Sequence, residues 1–142
     1  MTEFKRVFVD TAPIIYYLEN NSLYRGVIKK FFTKCVEENI QIVTSAITIE
    51  EYLVFPYSSG KMDFADNFKK FIDYMNIEVV DIDSKIAEQG AKIRGQYKNF
   101  KAMDALQIAA AIVSGCDTFF TNDMQLRQEK ELPCMTMEDL EK

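Results

Sequence analysis

Histidine is the most informative absence in this sequence. None of the 142 residues is a histidine. This excludes nucleophilic sites of the Ser-His-Asp and Cys-His types, zinc sites with histidine ligands, and ribonucleases that use histidine as acid and base. A catalytic site in this chain must therefore be built from carboxylates, hydroxyls, lysines or thiols.

Cysteine is scarce, and long apolar runs are missing. Cys35, Cys116 and Cys134 are odd in number, widely spaced and set among apolar neighbours. We therefore expect buried thiols in a reducing compartment rather than disulfides or a zinc site. No apolar stretch is long enough to span a bilayer, and Glu3 and Asp10 interrupt the segment where a signal peptide would be basic and then apolar. These features predict a cytoplasmic protein with no membrane partner.

The chain also lacks repeats, low-complexity tracts and linkers rich in proline or glycine. Hydrophobic residues make up 48% of the sequence and aromatic residues 13%, which predicts a single domain over residues 1–142 with a sizeable core. The formal net charge of -5 and the pI of about 4.8 argue against the broad basic surface of a typical nucleic-acid binder.

Apolar runs and helical periodicities alternate along the chain. Strands are predicted at 6–10, 40–45, 77–82 and 117–121, with a short fifth at 134–137. Helices are predicted at 24–38, 46–55, 62–75, 84–97 and 102–114, after a first one that Thr11 and Pro13 open. Pro56 is expected to end the third of these six helices, and Gly115 the last. The alternation predicts a three-layer α/β/α domain around a mainly parallel sheet of four to five strands.

Acidic residues occur where the predicted strands end. Asp10 ends the first strand, Glu51 follows the second, Asp104 opens the last helix and Asp123 follows the fourth strand. The carboxyl ends of parallel strands form the ligand crevice of such sheets, so we expect these four carboxylates on one rim. Because like charges repel, a divalent cation is expected among them, and oxygen-only ligands favour Mg²⁺ or Mn²⁺.

Each acid also has a purely structural interpretation. Asp10 can cap the helix that follows it, and Thr48 with Glu51 has the spacing of a capping box. Asp104 suits the positive end of a helix dipole, and Asp123 suits an ordinary turn. Taken singly these interpretations are strong, but they do not predict that all four acids share a rim.

Glu50 is an alternative to Glu51, because spacing alone does not separate neighbours on a helix. A helical wheel places Glu51 on the same face as Ile47, Val54 and Phe55, which favours Glu51 as the acid that points toward the protein.

Four segments in this order resemble the PIN-domain nucleases, most closely the small VapC-like toxins of bacterial and archaeal toxin-antitoxin pairs. They are VFVDTAPIIYYLE, VTSAITIEEYLV, KAMDALQIAAAI and FFTND, and the likeness extends from about Val7 to Thr136. The resemblance implies a three-layer α/β/α nuclease that binds Mg²⁺ or Mn²⁺ and hydrolyses single-stranded or loop RNA, leaving a 5′ phosphate and a 3′ hydroxyl.

The resemblance also implies roles for individual residues. Asp10, Glu51 and Asp104 would hold the principal ion, and Asp123 would complete the site or hold a second ion. Thr121 would orient a ligand or water by hydrogen bonding. The supporting residues that match the family pattern are Thr11, Thr121 and Asn122.

The partners implied are an RNA substrate, a cognate antitoxin that covers the acidic rim, and a second copy of the chain in a homodimer. Lys92, Arg94, Lys98 and Lys101 form a basic stretch that either contacts RNA or is a solvated helix face. Two alternatives stay open: a degenerate PIN-like module that binds RNA or protein without cleaving, and a housekeeping RNA-processing nuclease. An aspartyl-phosphate enzyme is disfavoured, because no second acid adjoins Asp10.

Overall fold

The computed structural model describes residues 4–140 and contains a five-stranded parallel sheet. The strands are β1 (Arg6–Val9), β2 (Gln41–Ser45), β3 (Glu78–Val80), β4 (Thr118–Phe120) and β5 (Cys134–Met135). Their order is β3-β2-β1-β4-β5, and every neighbouring pair is parallel. The order reverses between β1 and β4, which is where an open α/β sheet forms its ligand crevice.

Helices cover both faces of the sheet. They are α1 (Thr11–Leu18), α2 (Arg25–Glu37), α3 (Ala46–Ser59), α4 (Met62–Tyr74), α5 (Ser84–Gln96), α6 (Ala102–Val113) and α7 (Met137–Leu140), with a 3-10 helix at Met124–Gln128. Buried residues of α1 to α4 and α7 form one core cluster, and those of α5, α6 and the 3-10 helix form another. The predicted three-layer α/β/α architecture with a parallel sheet is thus confirmed.

The central strand β1 joins the two clusters, because alternate side chains point to opposite faces of a strand. Val7 and Val9 belong to the first cluster, in which Phe31 packs on Phe120 with ring centroids 4.5 Å apart. Phe8 belongs to the second cluster and stacks on Phe119 at 5.4 Å. The burial of β1 on both faces explains why Val7, Phe8 and Val9 are apolar in succession.

The end of α3 differs from the prediction. Pro56 lies inside the helix, which continues to Ser59. Proline removes only one helical hydrogen bond this close to the end, and the last carbonyls find other donors. The Ser59 hydroxyl donates to Phe55 O at 2.7 Å, and the Lys61 N–H donates to Pro56 O at 2.9 Å. Gly60, with φ of 71°, supplies the left-handed residue that ends the helix.

The strands are shorter than predicted, and side-chain hydrogen bonds begin directly at their ends. Asp10 is the N-cap of α1 rather than the last residue of β1. Asp117 precedes β4; its N–H donates to Arg6 O at 2.9 Å, and its carboxylate accepts from the Lys5 N–H at 2.8 Å. Thr136 follows β5, and its N–H donates to the carboxylate of Asp139 in α7 at 2.9 Å. The short α7 and the 3-10 helix were not expected from the sequence.

The three thiols are free, as predicted. Cys35 and Cys116 are buried and Cys134 is half-buried. None of the helices within residues 4–140 is both long and apolar enough to cross a bilayer.

Candidate active site

The four predicted acids line a single cavity of about 770 Å³ at the carboxyl edge of the sheet. Asp10 follows β1, Glu51 lies in α3 after β2, Asp104 lies in the first turn of α6, and Asp123 follows β4. Thr11, Thr121 and Asn122 line the same cavity. The structure therefore brings together all seven residues that the sequence singled out, from segments far apart along the chain.

The cavity is strongly acidic. Its described lining holds five carboxylates, because Glu50 borders it as well as Glu51, and it holds no lysine or arginine. The remaining lining residues are Ala12, Ile15, Tyr16, Val54 and Met124. Mutual repulsion is therefore not offset within the walls of the cavity.

Asp10 is held in place by three donors. Its Oδ1 accepts from the Thr11 N–H at 2.8 Å and from Gln107 Nε2 at 3.3 Å, while its Oδ2 accepts from the Thr121 hydroxyl at 2.9 Å. Asp10 thus caps α1 and faces the cavity at once, so the structural and functional interpretations are compatible. Burial, with a smaller contribution from the charges of Asp104 and Glu51, raises its pKa to about 6, although the bonds from Thr11 and Thr121 lower it.

Glu51 does not belong to a capping box. Ser45 is the N-cap of α3, since its Oγ accepts from the Ile47 N–H at 3.1 Å, and Thr48 lies inside the helix. Glu51 Oε1 instead accepts from the Thr11 hydroxyl at 2.6 Å. This bond links the acid of α3 to the first residue of α1 and orients it along the cavity wall.

The helical-wheel expectation for α3 was only partly right. Ile47 is buried, but Val54 is 55% exposed and Phe55 47% exposed, so the face that carries Glu51 turns from the core toward solvent along the helix. Glu50 and Glu51 are both exposed and both border the cavity. The bond from Thr11 is the feature that distinguishes Glu51.

Asp104 sits in the first turn of α6, where a helix dipole favours an anion. Its pKa is nevertheless raised, first by burial and then by the charges of Asp123 and Glu51, while Lys101 lowers it. The repulsion from the two other cavity acids therefore outweighs the attraction of Lys101.

Asp123 has the turn role that its sequence suggested. It is the N-cap of the 3-10 helix, with its Oδ1 accepting from the Gln125 N–H at 3.0 Å. Its own N–H donates to the Thr121 hydroxyl at 3.1 Å, and Asn122 Nδ2 donates to the Tyr16 hydroxyl at 3.0 Å. These bonds fix the loop that follows β4 against the cavity.

Gln107 is a site residue that the sequence reasoning missed. It is only 2% exposed, and Nε2 donates to Thr48 Oγ1 at 2.9 Å as well as to Asp10. Its Oε1 accepts from the Ser45 hydroxyl. The available signal was a lone amide, three residues after Asp104, in the otherwise apolar and buried run of α6.

The donor set suits a hard divalent cation, because every candidate ligand is a carboxylate. The raised pKa values of Asp10 and Asp104 reflect burial first and, to a smaller extent, the charge of neighbouring acids, and a bound cation would favour the ionised form of both. As the side chains stand, no three acids among residues 4–140 are close enough together to hold one ion. Glu51 and Asp123 are exposed, so both have room to turn toward an ion.

The sequence pattern of the PIN domain matches residues 7–131, a segment that includes every acid of this cavity. The chain belongs to the PIN-domain family. Comparison with the sequences of curated proteins gives no match.

Solved structures resemble this PIN domain over nearly its whole length. VapBC2 from Rickettsia felis, bound to a DNA fragment from its promoter, matches with a TM-score of 0.78 and 15% identity, over 92% of this chain and 98% of that one. DNA-bound VapBC from Salmonella typhimurium matches with a TM-score of 0.72 and 18% identity, over 93% of this chain and 98% of that one. VapC20 from Mycobacterium tuberculosis, a toxin that cleaves the sarcin-ricin loop, matches with a TM-score of 0.67 and 16% identity, over 89% of this chain and 98% of that one. At these identities the likeness establishes the fold.

Proposed function

We propose that this PIN domain is a metal-dependent endoribonuclease that hydrolyses RNA phosphodiester bonds. The proposal rests on one observation: carboxylates from four separate segments, Asp10, Glu51, Asp104 and Asp123, line one cavity, and no lysine or arginine within residues 4–140 borders it. A stable fold gains nothing from this repulsion, whereas a nuclease that uses a divalent cation requires such a cluster.

We propose that the same four acids hold Mg²⁺ or Mn²⁺. Such an ion lowers the pKa of a water molecule and offsets charge on the attacking and leaving oxygens of a phosphodiester. Asp10 is the most firmly positioned acid, because Thr11, Thr121 and Gln107 donate to it. We assign supporting roles to Thr11, which also orients Glu51, and to Thr121 and Asn122, which fix the loop that carries Asp123.

RNA binding should depend on the cation, because the acidic cavity repels a bare phosphate. Lys101 is close enough to the site to lower the pKa of Asp104. Lys92, Arg94 and Lys98 are exposed on or just after α5, where they are free to contact an RNA backbone or simply to remain solvated. A homodimer would double this limited basic surface, and we include it in the proposal.

We further propose that the chain is the toxin of a toxin-antitoxin pair. The likeness to VapBC complexes and to a toxin-antitoxin complex from Klebsiella pneumoniae supports this role. Val54 and Met124 line the cavity and are 55% and 47% exposed, so they offer apolar contacts to an antitoxin that covers the acids. An RNA substrate would place the protein in the cytoplasm.

A housekeeping RNA-processing nuclease is the alternative, and a neighbouring antitoxin gene would decide between the toxin and the housekeeping enzyme.

A non-catalytic module that binds RNA or protein is a second candidate. The observation in its favour is the spacing of the acids, since no three of them within residues 4–140 converge on one point. Such a module would bind without cutting under every metal condition.

The test is cleavage of total RNA by the purified protein with Mn²⁺, with EDTA, and by an Asp104→Asn variant. We expect cleavage only by the wild type with Mn²⁺. Asp63→Asn is the matched control, because Asp63 also lies in the first turn of a helix but does not border the cavity. Cleavage that survives both EDTA and Asp104→Asn would contradict the proposal, and absence of cleavage by the wild type would favour the binding module.

A further inference from the structure

A second cavity of about 380 Å³ adjoins the acidic one. Its lining residues are Tyr24, Asn122, Met124, Thr136, Met137 and Glu138. Asn122 and Met124 border both cavities, so the two spaces lie side by side along the loop that follows β4. A chain bound with one phosphate among the acids could therefore extend its neighbouring nucleotide into the second cavity.

An aromatic pair spans the boundary between the two cavities. Tyr16 borders the acidic cavity and Tyr24 borders the second one, and their rings stack with centroids 5.2 Å apart and planes 30° apart. Both residues are half-buried. Asn122 Nδ2 donates to the Tyr16 hydroxyl at 3.0 Å, which fixes that ring from the cavity side.

The backbone that carries Tyr24 is also fixed. Asn21 Oδ1 accepts from the N–H groups of Leu23 and Tyr24, each at 2.9 Å. The Asn21 N–H donates to Tyr16 O at 2.9 Å, which ties the turn between α1 and α2 to the helix that carries the other ring. The two tyrosines therefore form a preorganised surface, which a ligand can use without paying to order it.

The second cavity suits an uncharged planar group. Its described lining contains one carboxylate, Glu138, and no lysine or arginine, so it disfavours a phosphate. Tyr24, Met124 and Met137 supply aromatic and thioether contacts, and Asn122 supplies an amide that can reach the edge of a base. Nucleobases in single-stranded RNA are commonly recognised in this way, by stacking on aromatic side chains and by hydrogen bonds to their edges.

We propose that Tyr24, backed by Tyr16, is the stacking surface of a base-binding subsite for the nucleotide next to the scissile phosphate. This inference rests on the proposed ribonuclease function and specifies its substrate as an RNA with an unpaired base at that position. Stacking on an aromatic ring tolerates different bases, so Tyr24 supplies affinity, and Asn122 is positioned to add base preference.

The test uses short single-stranded RNAs that carry the fluorescent base 2-aminopurine at one position at a time. They are added to the Asp104→Asn protein so that no strand is cut, with Mg²⁺ at a concentration high enough to make up for the weaker metal binding of this variant. We expect strong quenching of the fluorescence at one position. When Tyr24→Leu is added to the Asp104→Asn protein, that quenching should be lost and the RNA should bind roughly 5- to 150-fold more weakly. Tyr24→Phe should keep both signals. Tyr74→Leu is the matched control, because Tyr74 is 86% exposed and borders neither cavity.

An abasic nucleotide at the quenched position gives a second measurement that does not alter the protein. It should weaken binding to the Asp104→Asn protein by about the same factor as Tyr24→Leu. If Tyr24→Leu and the abasic strand both bind as tightly as their parents, the subsite is refuted.

Cleavage by the otherwise unaltered protein separates this inference from the proposed function. If the wild type cuts RNA and Tyr24→Leu cuts with the same kcat/KM and at the same positions, the ribonuclease stands and the subsite falls. If the wild type cuts nothing but quenching still depends on Tyr24, the subsite stands and the nuclease falls. If no RNA is cut and none is bound, both are overturned.

Discussion

Gln107 Nε2 lies 3.3 Å from Asp10 Oδ1, so a buried amide of α6 supports the acid that follows the central strand. The orientation of this amide follows from its partners. An ionised Asp10 carboxylate can only accept, so Nε2 faces it and Oε1 accepts from the Ser45 hydroxyl, which leaves the second N–H bond of Nε2 for Thr48. The network joins α3, α6 and the start of α1 behind the acidic cavity.

Gln107→Met keeps the length of the side chain but removes every hydrogen bond that it makes. We expect it to lower the free energy of unfolding by about 1 to 3 kcal/mol. The polar groups of Asp10, Ser45 and Thr48 that bond to Gln107 would each lose a hydrogen bond in a region with little access to water. It should also weaken Mn²⁺ binding, because Asp10 loses a donor that fixes its carboxylate.

Urea unfolding and a titration of the thermal midpoint with Mn²⁺ would measure the two effects. Gln96→Met is the control, because Gln96 is exposed at the end of α5. Gln107→Glu should be more damaging than Gln107→Met at neutral pH, since it would bring a carboxylate against Asp10. If Gln107→Met binds Mn²⁺ as the parent does, the amide is only a packing element.

Gln107 also shows where prediction from sequence ends. The four acids could be predicted because each follows a recognisable strand or opens a recognisable helix, and parallel strands share one carboxyl edge. The role of Gln107 depends on Asp10, Ser45 and Thr48, which are 97, 62 and 59 positions away along the chain. Local patterns carry no information about such partners.

Element ends and side-chain directions were the other features beyond prediction. Pro56 stays inside α3 because Ser59, Gly60 and Lys61 satisfy the end of the helix, which the proline rule alone does not anticipate. The pairing of Tyr16 with Tyr24 depends on how the turn between α1 and α2 folds back. Likewise, the choice between Glu50 and Glu51 depends on a hydrogen bond from Thr11, not on spacing.

Asp104→Asn should make the metal-free protein more stable at neutral pH while abolishing cleavage. The folded state raises the pKa of Asp104, so its ionised form is unfavourable there, and an uncharged amide removes the repulsion from Asp123 and Glu51. A higher thermal midpoint in EDTA, together with a smaller increase on adding Mn²⁺, would bear this out. A lower midpoint in EDTA would mean that the charge is compensated in the folded protein.

Arg6 and Glu78 tie β1 to the start of β3 through two bonds, Nη1 to Oε1 at 3.0 Å and Nη2 to Oε2 at 2.8 Å. Because the Glu78 side chain is 46% exposed, we expect Glu78→Gln to cost only about 0.2 to 1 kcal/mol of unfolding free energy. The guanidinium lowers the pKa of Glu78, so the contribution is present at neutral pH and fades as pH falls through that lowered pKa.

Urea unfolding of wild type and Glu78→Gln at neutral and acidic pH would measure the contribution of this pair. The difference should shrink in high salt, which screens exposed charges. Glu88→Gln, at an exposed position of α5, is the control that should change little at either pH. A difference that grows toward acid pH would contradict the assignment.

Asp10 should make the stability of the metal-free protein fall as pH rises toward neutrality. Its pKa is about 6 in the folded state and 3.8 without the protein environment, so between these values the folded chain keeps a proton that the unfolded chain has released. The free energy of unfolding therefore decreases through that window and levels off above it, the reverse of the effect of Glu78.

Urea unfolding in EDTA from pH 4 to 8 would record this decrease in the free energy of unfolding. Asp10→Asn keeps a side chain suited to the cap and should flatten the profile, and saturating Mn²⁺ should reverse the decline in the wild type alone. Identical profiles for the wild type and Asp10→Asn would show that the buried carboxylate is not the group responsible.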